Sequence, residues 1–380
     1  MKKIILAPDS YKGTLDAVGA SEAMRAGITE IFPDCRVVSL PVADGGEGTV
    51  ACFLRAMEGQ QVRVSVTGPF PGERVEAVYG LLGSCAVIEM AACAGLPLAE
   101  GRLDPLRTTT YGVGELIAHA LKAGAKEILL GLGGSCTNDC GAGMAAALGT
   151  VFYDRKGASF LPVGGTLDRV ERYDDSRTRA LLEGVSVTAM CDITNPLYGP
   201  EGAAYVFAPQ KGADGECVRK LDHNLQKMEN VIRQQTGLLV QSMAGAGAAG
   251  GMGAGVAAFL GGRLAPGIDE VLRLTDYEGH LAGADLVITG EGRFDSQSLE
   301  GKVASGLGRR AKAAGVPLVV LAGALGEELD WARAEGLGIS AAFSINRAPE
   351  PFETARYRTA ENLRRSVREL MRLIRRLEGN

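Results

Sequence analysis

The sequence predicts an α/β protein of more than one domain, and three observations carry this prediction. The chain opens with alternating strand and helix patterns, which is typical of a parallel sheet with right-handed crossovers. The last third returns to the same alternation after a different pattern in the middle. Finally, 380 residues exceed the size of one typical hydrophobic core, so two domains are expected.

The beginning of the chain contains two predicted strand–loop–helix units. The apolar run 3–7 predicts a buried strand, and a polar loop over 9–14 follows it. Thr14 is the predicted N-cap of the next helix, which carries Asp16 in its first turn. A second strand is predicted over 37–40, before a glycine-rich loop and another helix. Each strand therefore ends in a loop of charged residues or glycine.

The middle of the chain has a different pattern. Apolar and polar residues alternate over 62–82 around a Gly-Pro turn, which predicts antiparallel strands and the start of a second domain. The further predicted elements of this part are a helix over 111–122, a strand over 128–130, a helix over 141–148, a strand over 185–190 and a helix over 218–235.

Strand–helix alternation returns in the last third, with strands predicted over 286–288, 318–321 and 341–344. The closing segment, 352–377, predicts an amphipathic helix whose many arginines form a solvated face. The apolar stripe of this helix consists of Leu363, Val367, Leu370, Met371, Ile374 and Leu377.

Composition excludes several classes of protein. A net charge of -5 and a pI near 5.5 argue against a nucleic-acid-binding protein. Eight scattered cysteines without a CxxC pair, and only three histidines, argue against structural zinc and fit the reducing cytoplasm. The apolar runs near the N-terminus and over 252–262 are too short for a signal peptide or a membrane span, so no membrane partner is expected.

The most informative segment is 284–302. A predicted strand stops at the turn Gly290-Glu291-Gly292, and Arg293 and Asp295 follow directly. Ligands of open α/β sheets bind just past the carboxyl ends of strands. A cation, two carboxylates and exposed amides suit a phosphate–metal ligand there. The alternative is a tight turn with a solvated Arg293–Asp295 pair.

Five polar, glycine-containing loops each follow a predicted strand, around Lys12, Asp44, Ser135, Asp192 and Glu291. Because five such loops occur on one chain, we expect them to form one large polar site at the ends of strands.

The loop over 131–139 is rich in glycine and hydroxyl side chains, and its backbone amides are able to surround phosphate oxygens. The alternative is that Asn138 or Asp139 merely caps the next helix. Cys136 and Cys140 lie at this helix start, where the helix dipole is expected to favour thiolate, although at least one of them is expected to be structural.

Several established motifs are absent or weak. Residues 245–250 match a dinucleotide-binding fingerprint by letter, but the preceding residues 238–243 make a poor strand, so a tightly packed helix of small residues is expected instead. No Walker A sequence, protein-kinase signature or GxSxG elbow occurs, and none of His119, His223 and His280 is flanked as a catalytic triad member. Lysine, arginine, aspartate and glutamate remain, which is the inventory for phosphoryl transfer.

Taken together, the loops resemble the type 1 glycerate kinase family of bacteria. The resemblance spans nearly the whole chain and rests on six segments: APDSYKGT (7–14), PVADGGEGT (41–49), GLGGSCTNDCGAGMAAALG (131–149), CDITNPLYGPEGAAYVFAPQKGA (191–213), GAGAAGGMGAG (245–255) and VITGEGRFDSQSLEGK (287–302). Cys136 and Cys140 depart from the family, which usually has a small residue and glycine there.

The resemblance implies ATP-dependent phosphorylation of D-glycerate with Mg²⁺, giving 2-phosphoglycerate, and the alternative is transfer to the 3-hydroxyl. It implies a Rossmann-like parallel-sheet domain formed by both chain ends, 1–64 plus 271–380. A second α/β domain, 65–270, is inserted, and the active site lies in the cleft between them. A monomer or homodimer is expected. The rival classes are a nucleotide-dependent oxidoreductase, which would use 245–250, and a non-catalytic binding protein for small acidic metabolites.

Candidate site residues follow from the polar loops and the resemblance. The expected catalytic residues are Lys12, Asp192, Arg293 and Asp295. The residues expected to bind glycerate or ATP are Asp9, Ser10, Asp44, Gly45, Gly133, Gly134, Ser135, Thr137, Asn138, Lys211 and Gly290. The expected Mg²⁺ ligands are Asp192 and Glu291.

Overall fold

The computed structural model of the chain describes residues 1–40, 42, 48–300, 303–348 and 351–379. Asp44 and Gly45, both expected to bind a ligand, lie outside these residues. The chain divides into two units. The first consists of Met1–Asp44, Ala51–Met57 and Ile268–Asn380, and the second of Gly45–Val50 and Glu58–Gly267. The predicted fold class is confirmed, whereas the predicted domain limits and the cleft stay predictions.

The strands, in chain order, are β1 (Lys3–Leu6), β2 (Arg36–Ser39), β3 (Gln60–Thr67), β4 (Arg74–Leu82), β5 (Cys85–Glu89), β6 (Glu127–Gly131), β7 (Val151–Tyr153), β8 (Ser159–Phe160), β9 (Arg172–Asp174), β10 (Ser186–Met190), β11 (Arg263–Ala265), β12 (Leu286–Phe294), β13 (Leu318–Leu325) and β14 (Ile339–Ser344).

The helices are α1 (Ala17–Thr29), α2 (Thr49–Ala56), α3 (Ala91–Ala94), α4 (Tyr111–Lys122), α5 (Ala142–Ala147), α6 (Ser176–Leu181), α7 (Ala203–Phe207), α8 (Gly215–Thr236), α9 (Ala248–Leu260), α10 (Gly267–Leu274), α11 (Tyr277–Leu281), α12 (Val303–Ala313), α13 (Trp331–Gly336), α14 (Phe352–Ala355) and α15 (Thr359–Glu378). None of the helices in the described part of the chain has the length and apolar character that a membrane span requires.

The first unit contains a five-stranded parallel sheet in the order β14-β13-β12-β1-β2. Counted within the unit, this order is 2-1-3-4-5, so the direction of winding reverses between β1 and β12. Such a reversal is the switch point at which open α/β sheets bind ligands. The first unit therefore has one preferred ligand position, beyond the carboxyl ends of β1 and β12.

Helices α1 and α15 pack together in the first unit. Leu363, Val367 and Met371 of the predicted stripe are fully buried, whereas Leu377 is 66% exposed and does not belong to it. A Cβ atom at Gly27 of α1 would overlap the backbone of Arg364, so glycine permits the close helix contact. The closing segment differs from the predicted single helix, because a 3-10 turn separates α14 from α15.

The second unit contains a mixed sheet of six strands in the order β11-β10-β6-β5-β4-β3. Strands β3, β4 and β5 pair antiparallel, which confirms the prediction for 62–82, and β5, β6, β10 and β11 pair parallel. A smaller antiparallel sheet has the order β8-β7-β9. The parallel part places the ends of β6 and β10 at the same edge, and both strands lead into predicted site loops.

The cap of α1 differs from the prediction. Asp16 is the N-cap, and its side chain accepts a hydrogen bond from the Gly19 amide at 2.7 Å. Thr14 instead donates its hydroxyl to the Tyr11 carbonyl at 2.8 Å, within the preceding loop. The prediction of Thr14 as N-cap was wrong because the loop after β1 makes its own turn before the helix begins.

Candidate functional site

The loop after β1 lies against β12 at the switch point of the first unit. The Ala7 amide donates to the Ile288 carbonyl and the Asp9 amide to the Gly290 carbonyl, both at 2.9 Å. The Ser10 amide donates to Asp9 Oδ1 at 2.6 Å. The structure thus brings together three predicted site residues, Asp9, Ser10 and Gly290.

Strand β12 does not stop at Gly290, and the predicted turn there was wrong. Glu291 pairs with Ala322 of β13, and Arg293 pairs with Ala324. Strands β12 and β13 therefore extend well beyond the end of β1, and they carry the charged residues with them. Arg293 is exposed and Glu291 half-buried in this extension.

The two glycines of β12 make room for the loop after β1. Because side chains alternate along a strand, positions 290 and 292 share a face. A Cβ atom at Gly290 would overlap the Tyr11 hydroxyl, and one at Gly292 would lie 3.5 Å from the Lys12 amide nitrogen. Gly290 itself is buried, so the structure gives this residue a packing role in addition to any contact with a ligand.

Tyr11 is a residue that the sequence analysis missed. Its ring is buried, and its hydroxyl donates to the Leu321 carbonyl at 2.6 Å. Burial first, and then the negative charges of Glu291 and Asp9, raise the pKa of Tyr11 well above its usual value. The only signal in the sequence was an aromatic side chain inside an otherwise polar loop.

Arg293 and Asp295 form the pair that the sequence left open as an alternative. Arg293 Nε donates to Asp295 Oδ2 at 3.0 Å. Asp295 also caps a 3-10 turn, Ser296–Leu299, by accepting from the Gln297 amide at 3.0 Å. The Arg293 side chain is still 68% exposed. Asp295 is thus engaged structurally, while the Arg293 guanidinium has an open face toward solvent. Lys12, in the loop after β1, is exposed as well.

The glycine loop, residues 131–139, follows β6 in the second unit. Gly134 is exposed and Gly133 half-buried, whereas the side chains of Ser135, Thr137 and Asn138 are buried. The loop is fastened by the Leu96 amide, which donates to the Gly134 carbonyl at 2.9 Å. The open part is therefore glycine backbone, and the polar side chains point to the interior.

Lys211 meets the glycine loop from the interior. It ends a 3-10 turn, Pro209–Lys211, and only 1% of the residue is exposed. Its Nζ donates to Ser135 Oγ at 2.9 Å and to the Thr137 carbonyl at 2.7 Å. Burial lowers the pKa of Lys211 to about 8, against the opposing influence of Cys136 and Asp139. The structure thus joins Lys211, Ser135 and Thr137 without exposing the ammonium group.

Asp139 has the capping role that the sequence left as an alternative. Its buried carboxylate accepts from the Thr110 amide at 2.8 Å and from the Gly141 and Gly143 amides at 3.1 and 3.3 Å. Burial raises the pKa of Asp139, whereas these hydrogen bonds lower it in part.

Buried polar atoms next to Asp139 lack such partners. The Thr137 hydroxyl and both amide atoms of Asn138 have no hydrogen-bond partner among the described residues. Buried donors and acceptors of this kind call for a bound water or ligand atom. The glycine loop combines an exposed glycine backbone with a buried ammonium bonded to Ser135 and Thr137, and this donor set fits a phosphate group.

Cys136 and Cys140 are both buried, which confirms that at least one of them is structural, whereas the expected preference for thiolate was wrong. Burial raises the pKa of Cys136 to about 11, although Lys211 lowers it in part. Burial also raises the pKa of Cys140, and Asp139 adds to that shift. The desolvation of a charged sulfur outweighs the dipole of α5, which has six residues.

Asp192 lies beyond the end of β10 and is exposed. Its Oδ1 accepts from the amide of Gly267, the first residue of α10, at 2.9 Å. Asp192 belongs to the second unit, and Glu291 to the first. Within the described ranges, no group of three or more His, Cys, Asp or Glu side chains is arranged to hold a metal. The carboxylate chemistry of Asp192 and Glu291 itself fits Mg²⁺, which commonly takes one or two carboxylates.

The segment over 245–250 has the packing role expected for it. No strand leads into it, and α9 begins at Ala248 with three left-handed residues, Ala249 to Gly251. A Cβ atom at Gly250 would overlap the Thr137 carbonyl, so α9 packs directly on the glycine loop. A dinucleotide fingerprint requires a preceding strand, which this segment does not have.

A doubly wound sheet with charged loops at its switch point, and a glycine loop backed by a lysine, define an α/β enzyme of the phosphate-handling class. The chain matches the model of the glycerate kinase family over residues 4–375. It belongs to this family and is a kinase.

Relatives of known name support this assignment. A protein named glycerate kinase from Bacillus cereus (strain ATCC 10987 / NRS 248) is 44% identical over 362 residues, which cover 94% of each chain. A protein named glycerate 2-kinase from Escherichia coli (strain K12) is 44% identical over 97% of each chain. A crystal structure of glycerate kinase 2 from Salmonella typhimurium LT2 superposes with a TM-score of 0.89 at 43% identity and covers 100% of both chains.

Proposed function

We propose that the protein transfers the γ-phosphoryl group of ATP to D-glycerate and forms 2-phosphoglycerate and ADP. The family supports the kinase reaction, and the name of the Escherichia coli relative, glycerate 2-kinase, supports the 2-hydroxyl as the acceptor. The observation that carries the proposal is the charged group at the switch point, where Lys12, Glu291 and Arg293 accompany the buried Tyr11. Transfer to the 3-hydroxyl is the alternative product.

The proposed reaction is an in-line transfer. The glycerate hydroxyl oxygen bonds to the γ-phosphorus, the bond from phosphorus to the bridging oxygen of ATP breaks, and ADP leaves. The hydroxyl proton passes to a carboxylate, for which Asp295 and Asp192 are the candidates. Lys12 and Arg293 offset the negative charge of the phosphates or of the glycerate carboxylate, and such charge stabilisation is commonly the largest part of catalysis.

The remaining candidate residues bind and orient ATP, glycerate and Mg²⁺. The glycine loop, with Gly133, Gly134, Ser135, Thr137 and Asn138, holds phosphate through backbone amides. Asp9, Ser10 and Gly290 bind glycerate or ATP next to the switch point. Asp192 and Glu291 would hold Mg²⁺, which when bound neutralises charge on the phosphate oxygens. We place the enzyme in the cytoplasm, which agrees with the absence of a disulfide among the described cysteines. A monomer or homodimer is the proposed assembly.

The release of ADP tests this function. Purified protein with ATP, Mg²⁺ and D-glycerate is expected to release ADP at a rate that depends on glycerate. Omission of Mg²⁺ is the control and is expected to stop the reaction. ATP that stays intact in the complete mixture would contradict the proposal.

A further inference from the structure

Lys211 is a buried cation with neutral hydrogen-bond partners. Its two acceptors are the Ser135 hydroxyl and the Thr137 carbonyl. Among the described residues, no carboxylate forms an ion pair with it, since the nearby Asp139 is engaged by Thr110 and by backbone amides. Burying an ammonium group without a carboxylate is costly. Such unfavourable burial is typical of residues that have a functional role.

The two bonds of Lys211 lie on either side of Cys136, so the ammonium clamps the glycine loop at two points. Ser135 is also held from outside the loop, through a backbone bridge to Gly95. Gly134 adopts a left-handed φ of 73° and is exposed, whereas Lys211 is buried. The loop therefore has an outer face of glycine backbone and an inner face that Lys211 holds.

The ammonium group is delivered from a fixed turn. The Lys211 amide donates to the Ala208 carbonyl at 2.9 Å. Gly212 follows with a left-handed φ of 94°, and a Cβ atom there would lie 2.6 Å from the Leu103 carbonyl oxygen. The turn therefore directs the Lys211 side chain into the interior, where its ammonium group is buried.

We propose that Lys211 is a positioning residue, which acts through Ser135 and Thr137 to hold the glycine loop in the form that accepts a phosphate group. Its positive charge, bonded to Ser135 and Thr137 of the same loop, adds to the attraction for that anion. The inference rests on the proposed function, because it assigns the phosphates of ATP as the ligand of this loop.

The charge of Lys211 gives the proposal a pH dependence of known sign. The charged groups that act on it are Asp139 and the Cys136 thiol. The thiol stays neutral below its pKa of about 11. Lys211 is charged below a pKa of about 8, so its attraction for an anion is present at pH 7 and is lost by pH 9. With a Lys211 pKa about one unit higher in the ATP complex, the affinity falls by about fivefold between pH 7 and pH 9.

Calorimetric titration of the full chain with Mg²⁺–ATP, without glycerate, at pH 7 and pH 9 tests the inference. The wild type is expected to bind several-fold more weakly at pH 9. Lys211→Met is expected to bind about tenfold more weakly than the wild type at pH 7 and to lose the pH dependence. Ser135→Ala keeps the ammonium and is expected to keep the pH dependence. Lys220→Met, which removes an exposed lysine of α8, is the matched control.

Two results would overturn the inference. One is a wild type that binds Mg²⁺–ATP equally well at both pH values, which overturns the contribution of the Lys211 charge even if Lys211→Met does not fold. The other is a folded Lys211→Met variant that keeps the affinity and pH dependence of the wild type. Failure of the proposed function is a separate result, because ATP would then bind but glycerate would not stimulate its consumption.

Discussion

The Tyr11 hydroxyl donates a hydrogen bond to the Leu321 carbonyl at 2.6 Å in the interior of the first unit. Tyr11 belongs to the loop after β1 and Leu321 to β13, so the bond crosses the intervening strand β12. It passes over Gly290, where a larger residue would overlap the tyrosine. Through this bond the sheet interior fixes the loop that carries Asp9, Ser10 and Lys12.

Tyr11→Phe tests the contribution of this bond. The variant removes the hydroxyl donor from the buried Leu321 carbonyl, so the free energy of unfolding is expected to fall by about 0.5–1.5 kcal/mol. Turnover is expected to fall as well, because the loop with Lys12 loses its anchor. Urea unfolding and steady-state kinetics measure the two effects. Tyr357→Phe, at a position 81% exposed, is the control and is expected to change neither. Unchanged stability of the Tyr11→Phe variant would contradict the role of this bond in fixing the loop after β1.

Gly290→Ala and Gly292→Ala form a matched pair on one face of β12. Alanine at position 290 would overlap both the Tyr11 hydroxyl and the Leu321 carbonyl, and such overpacking is expected to cost about 1–3 kcal/mol or more. Alanine at position 292 meets the nearest atom at an ordinary 3.5 Å and is expected to cost less than about 1 kcal/mol. Thermal unfolding compares the two, and equal losses would refute the packing role of Gly290.

Lys12→Ala tests the cation at the switch point. Lys12 is exposed, so its removal is expected to leave the unfolding midpoint unchanged. Turnover is expected to fall by about tenfold or more, the scale of a lost charged contact to a transition state. Lys156→Ala, at an exposed turn of the second unit, is the control. Kinetics of Lys12→Ala equal to those of the wild type would make Lys12 an ordinary surface residue.

Asp192→Asn and Asp295→Asn separate metal binding from proton transfer. Both variants are expected to lose most turnover while keeping the fold, because asparagine at position 295 retains the side-chain oxygen that accepts from the Gln297 amide. Raised Mg²⁺ should partly restore turnover in the variant that lost a metal ligand and not in the one that lost a proton acceptor. Variants that melt early yet keep normal turnover per folded molecule would make both residues structural.

The sequence predicted the parts of the fold that local pattern controls. The alternation of strands and helices at both chain ends and the antiparallel strands over 62–82 are confirmed. The pattern could not predict the length of β12, because Gly290 and Gly292 are typical of a turn. Pairing with β13 overrides that preference here.

The candidate site was less predictable than the fold. Lysine is almost always exposed, so nothing local indicated that Lys211 is buried under the glycine loop. Likewise, the helix start at Cys136 and Cys140 favoured thiolate, and only the buried surroundings reverse that expectation. In both cases the burial is caused by residues that are distant in sequence. Lys211, for example, bonds to Ser135 of the glycine loop from a remote part of the chain.

The central claim is the transfer of phosphate from ATP to the 2-hydroxyl of D-glycerate, and ³¹P NMR of the complete reaction tests it most directly. The account predicts that the γ-phosphate signal of ATP disappears as ADP and a new phosphate monoester appear together. The monoester resonance should split into a doublet, because one proton lies on C2 of 2-phosphoglycerate. A triplet would assign the 3-hydroxyl instead, and an unchanged ATP spectrum in the presence of D-glycerate and Mg²⁺ would contradict the account.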